Sequence, residues 1–530
     1  MNTDFAFTCI FVFLAAQALS MLRKSFLLFA VVFMLRLTAN AAVFVVTSNA
    51  DSGSGTLRQA LLDAAANGSV EKDFIHFNIA DLSEVGRTIK VLTLLPDIPS
   101  NVDIDGTTQS GNKFGVSDTK VKILMAVANA GSTPWCMYIY NQSDVGIYGL
   151  LIDADFSLFQ NGTFSSGIYI VGAQRLKIGE PGRGNVIKNF EGNIFSYLDF
   201  TDLKNSPVTQ DVKVQANFIG INEDGKTICQ LGRGQVEIAS VKNFTLGGFN
   251  ASEGNVIYGM ARLLHYHDIR RVNLGNLIVG NNIFGLDYLG ENPIGNLDDP
   301  TQTTSFAVVD HPGDLEKCDI FKNTFSGGIT FQTGGFFTVR GNRFGTNITG
   351  TKIIPHKTYC IVLGYCSGNG KIGGITPDDQ NVFAGCYQQD YVPMEYGGVI
   401  DNISSPGVEI VGNSFKCNNG IRPIRLGGIA NNVPVIKSRT NVEIAGSSVA
   451  NARVDLYYSI ECDYCEPQVF IASVAANSSG DWKYTGLLTN NAIIAAATIN
   501  GGTSEFTGVY FTNAQTEVEI GNACAGQSGY

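Results

Sequence analysis

The sequence predicts an all-β chain: a parallel β-helix, in which the backbone coils repeatedly around one axis, followed by a small β-sandwich. Three observations predict it. The first is a recurring motif of Asn, any residue, a large apolar residue and usually Gly. It stands in ANFIGIN (216–222), NNIFGLD (281–287), GNRFGTN (341–347) and GNSFKCN (412–418). Its asparagines, Asn217, Asn282, Asn342 and Asn413, are 65, 60 and 71 residues apart. The second is another pattern on the same beat, a hydrophobic-Gly step followed by Asn-Val-Ile/Phe. It stands in KIGEPGRGNVIKN (177–189), TLGGFNASEGNVIYG (245–259) and KIGGITPDDQNVFAG (371–385). The third is that short β-rich runs with alternating polarity, punctuated by Gly and Asn, fill each period, with scarce helical signal between them. A fixed self-similar period marks a stacked-repeat architecture.

Three strands and their turns take roughly 20–25 residues, so a 65-residue period is expected to hold about three coils. Successive coils would lie ~4.8 Å apart, the spacing of paired strands. Equivalent asparagines then stack, each amide bonding the one above and the one below. Asn also tolerates the left-handed backbone of a sharp corner. The neighbouring Phe or Ile is expected to point inward. The motif therefore reads as scaffold, because a ligand loop would be expected once and not in every period.

Residues 1–41 read as a leader. FAFTCIFVFLAAQALS (5–20) precedes a secretory pattern: Met21, Arg23 and Lys24, an apolar run from Phe26 to Leu35, and a small-x-small site at Ala39-Asn40-Ala41. Met21 is the expected true start. Arg36 breaks the apolar run well short of the ~20 residues of a membrane span. Residues 42–110 then form an N-terminal cap and the first coils. After a strand at 43–46, Thr56 and Gln59 suggest a capping box, and Leu57, Ala60, Leu61 and Ala64 make one apolar helical face. Such a helix would cover the open end of the first coil. The β-helix proper is assigned to 111–432.

The order VTSNADSGSGTLRQALLDA, TIKVLTLLPDIPSNVDIDGTTQSG, then GNVI and NFIGIN units resembles the secreted right-handed parallel β-helix repeat proteins of environmental bacteria, Bacteroidetes included. The resemblance spans about residues 43–430. It implies the fold, export and a pectate-lyase-like architecture, and it implies no activity.

Near Pro434 the beat stops. Strand runs every 8–12 residues with turn signals such as NSSGDW read as a sandwich over 433–513. It resembles the Ig-like modules of bacterial surface proteins and is expected to serve as an accessory module. A polar tail, 514–530, follows without a sorting domain, as in a fragment or a chain that ends abruptly.

The chain has 530 residues, a formal net charge of −11 and only 16% charged residues, without a basic cluster, which argues against nucleic acid as partner. Of eleven cysteines, Cys9 lies in the leader, and the ten others suit an oxidising compartment. Cys366 and Cys386 are expected to stack as buried thiols, and the Cys462–Cys465 pair to form a small disulfide.

Each carbohydrate chemistry that the fold hosts needs a residue set. A lyase needs carboxylates for calcium and a basic residue for proton abstraction. Asp153 and Asp155 offer two carboxylates at strand spacing, and Arg422 and Arg425 offer an incomplete arginine motif. Asp298–Asp299 and Asp378–Asp379 are paired but lie in turn sequence. DHPGD (310–314) has an epimerase's letters in another order. His265 and His267 could ligate a metal, with His76, His311 or His356 as a third ligand. Surface carboxylates and half-exposed histidines are the preferred readings throughout, so the catalytic and metal residues stay unassigned. No cofactor is expected, save calcium for a lyase. The expectation is an exported, monomeric, non-catalytic rod that binds a polysaccharide or cell-surface glycan. The alternative is a polysaccharide lyase or glycoside hydrolase acting on an acidic or plant-type polysaccharide.

Overall fold

The computed structural model describes residues 41–127, 134–158, 164–196, 207–231, 234–239, 241–264, 275–296, 305–309, 315–332, 335–364, 366, 369–386, 398–418, 422–427, 431–459, 466–489 and 491–507. The leader, His265, His267, Asp298, Asp299, residues 310–314 with His311, the Cys462–Cys465 pair and the tail lie outside the described residues.

The backbone winds into a right-handed parallel β-helix whose coils build three long parallel sheets of 12, 11 and 10 strands, here sheets I, II and III. Sheet I runs from Val43–Val46 to Val408–Val411, sheet II from Thr88–Val91 to Ser414–Lys416, and sheet III from Trp135–Tyr140 to Arg422–Leu426. One continuous apolar core fills the interior from Val46 to Ile424. The helix Leu57–Asn67 covers the first coil and buries Leu57, Ala60, Leu61 and Ala64, as its spacing predicts. The capping box is half made. Thr56 Oγ1 accepts the Gln59 N–H at 3.2 Å, but the Gln59 side chain turns to Asp63.

The asparagines stack as one ladder at the entry to sheet II. It contains Asn217, Asn282, Asn342 and Asn413, and it also takes in Asn185, Asn255, Asn323 and Asn381, all at most 1% exposed. Each Oδ1 from Asn217 onward accepts both the backbone N–H and the Nδ2–H of the preceding asparagine. Asn217 Oδ1, for example, accepts both from Asn185 at 2.9 Å. The second Nδ2 hydrogen goes to a carbonyl of the preceding coil, as from Asn342 to Ile320 O at 2.9 Å. Every polar atom of the amide is thereby satisfied without water.

Two expectations need correction here. The 65 residues from Asn217 to Asn282 pass through one further ladder asparagine, Asn255, so the period holds two coils and not three. Coils are longer than three tight turns because loops are inserted between the strands; ladder steps run from 19 to 41 residues. The two motif families therefore occupy the same rung position, with Val186 paired to Phe218 and Ile187 to Ile219. The left-handed conformation also falls not on the ladder asparagine but on the residue before it, as at Ala216, Asn281, Lys322 and Gly341.

The third residue of each motif points inward. Ile187, Ile219 and Ile257 give way to Phe284, Phe325, Phe344, Phe383 and Phe415, whose rings stack at 4.6–4.9 Å.

Residues 435–503 form a three-stranded and a four-stranded antiparallel sheet around a separate core containing Val454, Leu456, Trp482 and Ile493. This sandwich does more than accompany the rod: it caps the last coil. Ile410 N–H donates to Thr503 Oγ1 (2.9 Å), Gly412 N–H to Tyr457 Oη (2.8 Å), Phe415 N–H to Pro467 O (2.8 Å) and Leu426 N–H to Glu505 Oε1 (3.0 Å). N–H groups at the open edge of all three sheets are met, which removes a template for edge-to-edge association.

Two predictions follow from these contacts. Asn342→Ala strips the Asn323 N–H and Nδ2–H of their shared acceptor. At about 1–3 kcal/mol per orphaned buried donor, denaturant unfolding should show a loss of several kcal/mol, whereas a surface Asn→Ala control should lose little. At the junction with the sandwich, burial raises the Glu466 carboxyl to about 7 from 4.5; its Oε2 has no partner and its Oε1 accepts the Asn418 N–H. An acid raised in the folded state contributes stability that is complete below its unfolded pKa and is lost as pH rises through the folded one. Wild-type stability should therefore fall from about pH 4.5 to beyond pH 7, and Glu466→Gln should flatten that fall in denaturation curves measured across the window.

Candidate functional site: a groove along sheet II

The second residue of each motif, which the sequence pattern leaves free, is the outward residue of sheet II. Phe218, Val256, Ile283, Thr324, Arg343 and Val382 form one row along the rod, paired strand to strand. They floor an open groove of about 730 Å³. At ~4.8 Å per rung, the five steps of the row give a length of about 24 Å.

Alternate coils build each wall. The hairpins 222–227, 287–292 and 347–352 follow the coils of Asn217, Asn282 and Asn342 and stack on one another. Tyr288 N–H bonds Gly225 O at 2.8 Å, and Ile348 N–H bonds Gly290 O at 2.8 Å. The facing wall comes from corner loops of the intervening coils, through Pro181 and Gly182, Ala251 and Ser252, and Pro377 and Asp378. Gly254 lets its loop press on the next corner, since a Cβ there would lie 1.9 Å from Asn281 O. Gly345 opens its hairpin at φ +64°, and a Cβ would meet Ala384 O at 1.8 Å. At one end Phe114 closes the row by covering Leu151 and Val186.

The lining mixes apolar and polar groups in about equal measure, with Tyr288 and Ile348 projecting from the hairpin wall. The Tyr288 ring lies 6.4 Å from that of Phe218 and 5.9 Å from Lys226 Nζ. Among the described residues, the carboxylates in the lining are Asp118 and Asp378. Asp118 is held by Lys113 at 2.5 Å and by the Gly184 N–H at 3.2 Å. Asp378 is exposed, 4.0 Å from Lys322 Nζ.

A second surface feature lies on sheet III. Tyr138, Tyr169 and Phe195 occupy one outward row with ring centroids 5.4 and 5.6 Å apart, and Trp135 stacks 5.8 Å from Tyr169. The same row continues into the buried Glu237, paired with Arg262.

The other candidate residues are not brought together. Asp153 is buried in an ion pair with Lys122 (2.9 Å) and accepts from Asn189. Asp155 lies past the end of the strand Leu150–Ala154 and bonds Ser157, so the two do not share a strand face. Arg425 pairs with Asp401 at 2.8 Å, and Arg422 with Glu505 at 3.4 Å. Asp379 accepts from Thr376 and lies 3.8 Å from Arg340. His76 sits in the strand Asp73–Phe77 of the second coil of sheet I, with its ring 6.0 Å from Phe74. His356 is fully buried many coils away.

His356, Cys360 and Cys386 place their ligand atoms within 4.8 Å of one another. However, Cys360 and Cys386 form a disulfide, which corrects the expected pairing of Cys386 with Cys366 as stacked thiols; Cys366 is a separate buried thiol. Sulfurs bonded to each other cannot serve as thiolate ligands, so this set does not fit a metal while oxidised. Burial lowers His356 to about 4, which keeps its imidazole neutral at neutral pH, and Nδ1 lies 2.8 Å from Thr358 Oγ1. Cys417 is also disulfide-bonded.

No protein family matches the chain, and no curated protein does. Among solved structures, a mutant tailspike protein of E. coli bacteriophage HK620 is similar at 11% identity and a TM-score of 0.30, covering 87% of this chain and 92% of that one. The tailspike protein of the same phage in complex with a pentasaccharide aligns at 12% identity and a TM-score of 0.26, covering 87% and 93%. Similarity this slight says nothing of what the present chain binds. The assignment of the fold rests on the three parallel sheets themselves.

Proposed function

We propose that this chain is an exported, monomeric, non-catalytic rod that binds a polysaccharide or cell-surface glycan along the sheet II groove. The groove itself carries the reading. It is open and straight, about five rungs long, with Phe218, Val256, Ile283 and Val382 as apolar stretches of its floor, an aromatic ring on one wall, and Thr324, Ser252 and Gln380 among its polar groups. An extended sugar chain has that form: apolar C–H faces to set against rings and hydroxyls to exchange with polar edges. The secretory pattern before Ala41 and the resemblance to secreted bacterial β-helix proteins support export. Among the described residues, no helix is long and apolar enough to cross a membrane.

Binding is favoured over turnover by the placement of the carboxylates. Glycoside hydrolysis uses two carboxyl groups roughly 5–10 Å apart. Asp118 lies beside Gly184 and Asp378 beside Lys322, so four ladder rungs, about 19 Å, separate them.

Affinity electrophoresis against a panel of neutral and acidic plant and bacterial polysaccharides tests the proposal. Retardation is expected by at least one polymer, without new reducing ends or unsaturated products. Tyr288→Ala should weaken that binding about tenfold, while Tyr169→Ala on sheet III leaves it unchanged. Product formation would support the lyase or hydrolase alternative, and the absence of any retardation would overturn the glycan reading.

A further inference from the structure

Arg343, the free position of GNRFGTN, lies on the groove floor between Thr324 and Val382. Its surroundings set it apart. Every other described arginine donates to an oxygen of the protein; Arg58, Arg183, Arg340 and Arg453 reach carboxylates, and Arg87 and Arg439 reach backbone carbonyls. Among the described residues, no carboxylate lies within ion-pair distance of Arg343, and its Nε is buried without an acceptor. The backbone of Gly350 in the hairpin wall packs against that nitrogen: a Cβ there would sit 3.1 Å away.

A second cation stands at the same end of the groove. Lys322 occupies the left-handed corner one rung below, at φ 53°, with its ammonium half exposed and Asp378 4.0 Å away. The acids facing this end are Asp378, largely in solvent, and Asp379, engaged by Thr376 and Arg340. Neither neutralises Arg343. A buried donor left unmet is costly unless something supplies an acceptor, and a guanidinium fork matches a planar carboxylate or a sulfate in two parallel bonds.

We infer that Arg343, seconded by Lys322, binds the anionic substituent of an acidic glycan, a uronate carboxylate or a sulfate ester, seated in the groove. The inference rests on the groove being the glycan site and adds the chemical class of its ligand. The chain's net charge of −11 repels polyanions at long range. Preference for an acidic polymer therefore has to arise at a local site of this kind.

The test uses matched pairs: polygalacturonate and alginate against their methyl esters, and a sulfated galactan against its desulfated form. Binding of at least one acidic member should be about tenfold tighter than that of its neutral twin. The preference should shrink with added salt. Arg343→Gln should abolish the preference with the unfolding midpoint unchanged, and Arg343→Lys should restore part of it. Equal binding of both members of every pair would overturn this inference and leave the groove reading standing. Failure of all polymers, neutral and acidic, to bind would overturn both.

Discussion

The stacked asparagine amide is the interaction on which the rest of the molecule depends. Each ladder amide is closed into the rung on either side by bonds of 2.8–3.3 Å. A polar group buried to this degree is stabilising only when fully paired. The ladder therefore locks the register of every coil against its neighbours. A one-residue slip would bring an outward residue into the ladder and turn the inward Phe or Ile out of the core.

With register locked, thickness decides the period. A hairpin is two strands wide, and two strands at ~4.8 Å each span two rungs. Consecutive coils cannot both carry one on the same side. The hairpins after Asn217, Asn282 and Asn342 therefore skip a coil, and their contacts through Gly225–Tyr288 and Gly290–Ile348 show them filling the space between. The coils they skip are free to bulge at the opposite corner, as those of Asn255 and Asn381 do. Two interleaved sets of insertions, one on each flank of sheet II, leave a straight trough between them. The groove is thus a consequence of how the coils pack.

GNRFGTN shows how much of this was legible in the sequence. Asn342 was read as a ladder residue and Phe344 as an inward one, and both readings hold, because stacking imposes their identity in every coil. Gly341 and Gly345 turn the chain at positive φ, and Asn347 begins the hairpin. Arg343 was passed over, because a position that varies from coil to coil looks unconstrained. Its variability reflects its place, since only the outward residues are released from stacking. The coil count was misjudged because inserted loops lengthen each coil beyond its strands. The sheet III rings could not be seen together, because Tyr138, Tyr169 and Phe195 meet only through register between distant segments. Nor could the role of the sandwich, whose bonds to Ile410, Gly412 and Leu426 join residues far apart in sequence.

Two internal deletions test this account most directly. Removing 218–282 joins Asn217 to Ile283; it excises two coils and preserves both the ladder and the alternation of hairpins. Removing 256–282 joins Asn255 to Ile283; it excises one coil, preserves the ladder, and sets two hairpins on adjacent rungs. The measurement is the denaturant midpoint of each purified chain. The first deletion should fold with a midpoint near that of the parent, as expected when repeats contact only their neighbours, and the second should be severely destabilised or insoluble. Equal stability of the two would contradict the claim that hairpin thickness over a locked ladder sets the two-coil period.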